Sequence, residues 1–301
     1  MDPIEVAPKL YLIPLDQNLS GFISFIGAWL YKGEKNLLVD VGPAATIHKL
    51  VEALKTLEVK NLDAILLTHL HIDHAGGIGD LAVHFPDTPI VCHESGIRHL
   101  EDPSRLWEGS LKTLGKTAQA YGPIRPSPRA LLQDAAQFRE HEVTPILTPG
   151  HAAHHVSYLV GPYLFAGEAG GVFLDLTDGE FYLRPATPPR FYLETSVRSI
   201  KALTAVPHNI LCYGHFGMTK KTPRILEIHR RQLNTWIDVI RHEISINQGP
   251  ELESRCMARL LKEDPLLSGL GRLEHAVQER EHYFLNNSIR GFLGYLETAE
   301  K

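Results

Sequence analysis

Cysteine is scarce in this chain. Among 301 residues there are three, Cys92, Cys212 and Cys256, far apart in sequence. An odd, scattered set makes neither a disulfide framework nor a cysteine zinc site. Cys92 follows Ile90-Val91 and Cys212 follows Ile210-Leu211, so both read as small core residues of strands, suited to a reducing cytoplasm. Long apolar runs are missing too, and nothing here is long enough to span a bilayer. Met1 to Glu5 lacks the charged and then apolar stretch of a secretion signal. Positive charge is not in excess: the formal net charge is −5, which argues against nucleic acid or an anionic membrane as a main partner. There is no low-complexity tract and no clear internal repeat. A Gly-x-Ser-x-Gly elbow is absent, which disfavours covalent acyl catalysis. These exclusions leave a cytoplasmic globular protein with a small-molecule substrate.

Histidine, in contrast, is abundant at 17 copies. The densest run is Thr68-His69-Leu70-His71-Ile72-Asp73-His74-Ala75-Gly76-Gly77. It follows Ala64-Ile65-Leu66-Leu67, which reads as a buried strand. Residues i and i+2 of an extended segment point the same way, so His69 and His71 can address one cation. Asp73 and His74 come after the turn and can address a second. The Gly76-Gly77 pair is expected to let the chain turn tightly behind them. A core has little use for so much imidazole and carboxylate unless a cation binds it.

Strands are expected at Val6–Leu15, Phe22–Tyr31, Leu37–Asp40, Ala64–Leu67 and Pro89–Cys92, and again at Val143–Leu147, Val156–Val160, Tyr163–Phe165 and Ile210–Tyr213. Helical spacing marks Thr46–Leu57, a stretch near Ile97, and Glu194–Ala205. Residues 103–130 read as a short helix within Leu111–Ala120 followed by a proline-rich loop. That segment is a candidate substrate lid carrying Trp107, Tyr121, Arg125 and Arg129. After Gly217 the pattern is helical without strands. Thr222 is the expected N-cap, with Pro223 at the first helical position. Ile225, Ile228, Leu233, Trp236, Ile240 and Ile244 form an apolar stripe that packs against the rest of the chain or, failing that, forms a homodimer interface; the 103–130 segment is the other candidate dimer surface. The expected division is a catalytic domain over 1–219 and a helical extension over 220–301.

The spacing His-x-His-x-Asp-His resembles the metallo-β-lactamase superfamily. Further stations of that resemblance occur in order. Thr148-Pro149-Gly150-His151 follows Pro145-Ile146-Leu147. Glu168 follows Tyr163-Leu164-Phe165-Ala166-Gly167. His215 follows Ile210-Leu211-Cys212-Tyr213-Gly214. The resemblance implies an α/β fold, a four-layered αββα sandwich, here with an α-helical C-terminal extension. It implies that His69, His71 and His151 hold one metal, that Asp73, His74 and His215 hold another, and that Glu168 stands between them. Two divalent metal ions are therefore expected, zinc first, with iron or manganese also suited to such ligands. The family's bridging carboxylate is usually Asp. Glu168 could bridge with a shifted geometry, ligate one metal only, or leave the second site weak; Asp175 is a less well-placed substitute. His155 is either an orienting partner of a ligand or a packed polar core residue.

The implied chemistry is attack on a carbonyl carbon by hydroxide formed from a water shared by two cations, with Asp73 accepting or relaying the proton. The His-Leu-His-Ile-Asp-His-Ala-Gly-Gly string looks like the glyoxalase II and lactonase branches, so the expected bond is a thioester or lactone. Leu106 to Ser110, Tyr121-Gly122 and Tyr213 to Gly217 resemble prokaryotic hydrolase-like members with a helical C-terminal extension. Two alternatives stay open: mononuclear-iron oxidation of a persulfide, and a non-catalytic binding module with a degraded site.

Overall fold

The computed structural model describes residues 2–140, 142–176, 179–189 and 191–299. Seven strands build the first sheet: β1 Ile4–Ala7, β2 Leu10–Pro14, β3 Gly27–Lys32, β4 Asn36–Val39, β5 Ala64–Leu66, β6 Ile90–Cys92 and β7 Leu132–Asp134, lying in sequence order. β1 to β4 are antiparallel, and β4 to β7 are parallel. Parallel neighbours need crossovers. Helix α1 (Ile47–Thr56) links β4 to β5; α2 (Ile72–Ala75) and α3 (Ile78–His84) link β5 to β6. Helices α4 (Glu94–Glu101), α5 (Ser104–Leu114) and α6 (Lys116–Tyr121) precede β7.

The second sheet has the order β14-β13-β10-β9-β8, built from β8 Val143–Leu147, β9 Val156–Val160, β10 Tyr163–Gly167, β13 Ile210–Tyr213 and β14 Met218–Thr219. Between β10 and β13 come a hairpin, β11 Val172–Asp175 with β12 Phe181–Arg184, and helix α7 (Leu193–Ala205). Helices α8 (Arg224–Ile246), α9 (Leu252–Glu263) and α10 (His275–Ala299) finish the chain. Among the described residues, no helix is long and apolar enough to cross a membrane.

Alternation along the strands sets the layers. Leu38, Ile65, Ile90 and Cys92 face the helices of the first half, together with Leu50, Leu54, Ile78 and Leu81. Their neighbours Leu37, Val39, Ala64, Leu66 and Val91 face the other way. There they meet Val156, Tyr158, Phe165, Ile210 and Cys212 of the second sheet. Leu164, Ala166, Leu211 and Tyr213 then turn toward α7 to α10. The result is helix, sheet, sheet, helix: an α/β sandwich whose helical C-terminal region lies in the outer layer. The α8 stripe packs there, with Ile225, Leu233, Trp236 and Ile240 buried in the same cluster as Leu164 and Leu211. All three cysteines are buried free thiols, and burial pushes the Cys92 thiol up to about 12.

Several local expectations are corrected. The strand expected from Phe22 begins only at Gly27, because Gly21 (φ 80°) and Ser24 (φ 50°) are left-handed and fold residues 21–26 into turns. The short helix expected within Leu111–Ala120 is two helices, broken at Gly115, whose φ of 53° no helix continues through. Thr222 is not the cap of α8. Its hydroxyl donates to the His208 carbonyl at 3.3 Å, and Pro223 occupies the N-cap. The strands β7, β11, β12 and β14 were not expected; each has at most four residues, too few for a period-two signal.

Candidate metal centre

Every candidate ligand sits at the end of a strand or in the turn after one. From β5 the chain runs extended through His69 to His71, which is the N-cap of α2 with ψ 145°. The buried Leu70 points away into the first-half core, so His69 and His71 share the opposite side. One helical turn, closed by His74 and Ala75 N–H bonding to the His71 carbonyl at 2.9 Å each, brings Asp73 and His74 round. Gly77 is needed for close approach and not for a left-handed φ: a Cβ there would lie 2.2 Å from Ile47 Cδ1 of α1. Behind Glu168, Gly167 meets both demands, with φ 55° and a Cβ position 2.4 Å from His155 Nε2. Such a position admits only glycine.

Two groups of ligand atoms result. His69, His71, His151 and Glu168 offer atoms within 4.8 Å of one another, as do Asp73, His74 and His215. Glu168 joins the groups. Its Oε2 lies 2.9 Å from His151 Nε2, 3.3 Å from His69 Nε2 and 3.5 Å from His74 Nε2, while Oε1 lies 3.3 Å from His215 Nε2. Asp73 Oδ2 is 3.8 Å from both His74 Nε2 and His215 Nε2.

Hydrogen bonding on the outer side of the cluster decides which nitrogens are free. Asp40, directly after β4, accepts the Thr68 N–H at Oδ1 (2.8 Å) and the Thr68 hydroxyl at Oδ2 (2.7 Å). A carboxylate only accepts. The Thr68 hydroxyl proton is thereby committed, and its oxygen receives His69 Nδ1–H at 3.0 Å. Asp40 Oδ2 also accepts His74 Nδ1–H at 2.9 Å. His151 Nδ1–H donates to the Ala186 carbonyl at 2.9 Å. His69, His74 and His151 therefore all turn Nε2 inward, bare on His69 and His151 and, on His74, open to a cation in place of its second proton. His155 accepts the Glu168 N–H at Nε2 (3.1 Å) and donates Nδ1–H to Thr148 Oγ1 (2.9 Å). It orients the backbone that carries Glu168. Of the two roles the sequence left open for His155, the orienting one is what its hydrogen bonds show; Asp40 was not expected, and its one sequence signal was a carboxylate directly after an apolar run.

The donor set fits a cation. His71 Nδ1 lies 3.0 Å from His69 Nε2 and 2.9 Å from His151 Nε2. A single proton on His71 can bridge only one of those bare nitrogens, whereas a cation satisfies all three and the carboxylate. Burial, then the neighbouring imidazoles, hold His69 and His71 well below the usual histidine range, so both are neutral ligands. Burial opposes ionisation of Glu168, but His151 and His215 outweigh it and hold the carboxyl well below its ordinary value. Burial likewise opposes a proton on His74, yet Asp73 and Asp40 raise its pKa well above the ordinary value. A cation would take the place of the proton at Nε2, facing Asp73 and Glu168, while Asp40 keeps Nδ1–H.

The remaining candidates are spread out. Tyr121 is buried, 6.5 Å from the Phe22 ring, and close enough to Asp73 and Glu168 for their charges to raise its pKa further than burial alone does. Trp107 is half-buried against the first-half core. Arg125 pairs with Asp80 at 3.3 Å, and Arg129 donates to the Leu132 carbonyl at 3.0 Å. Asp175 is exposed at the end of β11 and belongs to neither ligand group. His154 stands beside the cluster, its ring 6.3 Å from that of His71, with Nδ1 accepting the Leu70 N–H at 3.4 Å.

This strand-end arrangement on two facing sheets is that of a known class. The profile of the metallo-beta-lactamase superfamily matches residues 21–215, and the chain belongs to that superfamily. The metallo-beta-lactamase fold-containing protein ST1585 of Sulfurisphaera tokodaii is 31% identical over 199 residues, 62% of this chain and 70% of that protein. The hydroxyacylglutathione hydrolase of Citrobacter koseri is 28% identical over 187 residues, 60% of this chain; the match spans only 56% of that enzyme's length. Among solved structures, the archaeal superfamily protein ST1585 from Sulfolobus tokodaii superposes with a TM-score of 0.66 at 22% identity, covering 94% of this chain and 98% of that one. The family protein TTHA1429 from Thermus thermophilus gives 0.63 at 21% identity, covering 98% and 95%. The structural likeness carries the fold. The superfamily and its hydroxyacylglutathione hydrolase relatives support a hydrolase in general terms.

Proposed function

We propose that this protein hydrolyses an ester-type bond, a thioester or a lactone, with the help of two divalent cations. One observation carries the reading: Glu168 reaches both ligand groups, Oε2 toward His69 and His151 and Oε1 toward His215. A relative named for hydrolysis of hydroxyacylglutathione supports the choice of bond.

His69, His71 and His151 would hold the first cation, Asp73, His74 and His215 the second, and Glu168 would be shared. Bound there, the cations would lower the pKa of a shared water and polarise the substrate carbonyl. The chain's own groups do the rest. Asp40, directly and through Thr68, keeps His74 and His69 in the tautomer with Nε2 bare. Asp73 is the more exposed carboxylate of the centre, its side chain 16% accessible against 7% for Glu168. It therefore faces the side from which a substrate arrives and is placed to accept the proton of the attacking water. Buried Phe25 stacks on His215, and Phe22 packs edge-on against Phe25 and Tyr121, so the second ligand group is backed by apolar rings.

Turnover of a thioester and lactone panel by metal-loaded protein, with His71→Ala as the control, tests the reading. Elemental analysis should find two metals per chain. Turnover no higher than the control would refute the hydrolase. A single iron per chain together with oxygen consumption on a persulfide would replace it with the oxidative alternative.

A further inference from the structure

Of the inward-facing imidazoles whose Nε2 meets Glu168, one is held differently. His69, His74 and His151 are each oriented by a hydrogen bond at Nδ1. Buried His215 has no hydrogen-bond partner at Nδ1 among the described residues. A ligand histidine without an outer hydrogen bond needs another means of holding its ring.

A stack takes that role. The His215 ring lies on Phe25 with centroids 4.2 Å apart and planes 10° from parallel. The Arg280 guanidinium carbon lies 3.8 Å from the centroid of the same Phe25 ring. Two groups so close to one centroid cannot share a face, so Phe25 is sandwiched between imidazole and guanidinium. Arg280 is itself immobilised. Its Nε donates to Glu281 Oε1 at 2.9 Å and its Nη1 to the Gly21 carbonyl. Glu281, fully buried, is also paired with Arg184 of β12. Helix α10 thus grips the loop that carries Phe25. That contact runs backbone to backbone, because a Cβ at Gly21 would lie 2.3 Å from the Ala276 carbonyl oxygen.

We infer that Phe25 and Arg280 are positioning residues for His215, and that through them the C-terminal helix α10 sets the affinity of the Asp73–His74–His215 group for its cation. The inference rests on the two-cation reading above. It gives the C-terminal helices a specific task at the centre: α10 holds His215, while Asp40 holds His74 of the same group and, through Thr68, His69 of the other, and the Ala186 carbonyl holds His151.

The test is titration of the full chain with Zn²⁺ or Co²⁺ against a competing chelator, which resolves two dissociation constants. His215→Ala identifies which constant belongs to the second group. Phe25→Leu keeps apolar bulk and removes the ring face; it should weaken that constant by about 10- to 100-fold and leave the other unchanged. Phe25→Tyr retains the face and should bind as wild type does. Arg280→Gln should shift the same constant in the same direction, and thermal unfolding of each variant reports whether the fold survives. Phe25→Leu leaving both constants at wild-type values, or weakening both alike, would overturn the inference alone. A wild-type chain that binds one cation would overturn it together with the two-cation reading.

Discussion

Asp40→Asn is the sharpest single perturbation of the centre. The replacement is isosteric at a site only 2% exposed, so packing is unchanged. Its amide oxygen still accepts the Thr68 N–H. Its NH2, however, stands where the Thr68 hydroxyl and His74 Nδ1–H both arrive as donors. Donor then faces donor. His74 can escape only by moving its proton to Nε2, the nitrogen that faces Glu168 and Asp73. Each lost bond to the carboxylate is worth about 1.5–3 kcal/mol. The Thr68 hydroxyl can rotate and accept from the new amide, which recovers one of the two. The expected loss of stability is therefore about 2–3 kcal/mol, a fall in Tm of roughly 3–5 °C for a chain of this size. The tautomer change should weaken cation binding by about 10- to 100-fold, or about 1.4–2.7 kcal/mol. Chelator competition reads the affinity, and thermal unfolding of apo protein reads the stability. Thr68→Val is the companion: it removes the acceptor of His69 Nδ1–H and should affect the first group more than the second. Asp40→Asn binding both cations as wild type does, with Tm unchanged, would refute the tautomer argument.

Glu168→Gln removes the one negative charge common to both ligand groups, and elemental analysis should then find one metal per chain or fewer where the wild type holds two; retention of two would show that Glu168 is not shared. Buried His229, with Nδ1–H donating to Gln232 Oε1 at 2.9 Å, has its pKa pushed down to about 4, chiefly by burial. The unfolded chain therefore binds more protons than the folded one between about pH 4 and 6.5, so stability should fall as pH drops through that window, by about 3 kcal/mol in full. Urea unfolding at pH 7 and pH 5 should show a smaller difference in His229→Asn than in wild type, and equal differences would refute the assignment. Trp236 is fully buried on α8 and its Nε1–H donates to Asp264 Oδ2 at 2.7 Å. Trp236→Ala should cost about 3–5 kcal/mol, seen as a cooperative loss of Tm; a loss confined to the C-terminal helices, with the centre still binding metal, would mean that the outer layer folds independently.

Much of the candidate centre was legible because its ligands follow strands. His69 and His71 are two apart on an extended segment, and Asp73 and His74 come one turn later; such local geometry is set by the backbone and survives any packing. The strands before His151, Glu168 and His215 were legible from their apolar runs, and the pattern α/β follows from their order. Residues 21–26 were misread for the opposite reason. Phe22, Ile23, Phe25 and Ile26 have strand composition, but they are held as turns by the left-handed Gly21 and Ser24 and by contact with α10, more than 250 residues away. Apolar residues covering a site and apolar residues within a sheet look alike in one dimension.

The sequence by itself put His69, His71, Asp73 and His74 in one run after a strand, since spacing of two to six residues fixes direction without help from the rest of the chain; His151, Glu168 and His215 came only from the family resemblance. Only the tertiary structure decided how those ligands are held. Asp40 reaches Thr68 and His74 because β4 and β5 are parallel neighbours. Phe25 reaches His215, and Arg280 reaches Phe25, because the turn before β3, the turn after β13 and helix α10 meet in space. Glu168 lies within reach of both groups because the two sheets pack face to face and bring β10 opposite the end of β5. Such contacts are made across space by groups far apart in the chain, and no local periodicity encodes them.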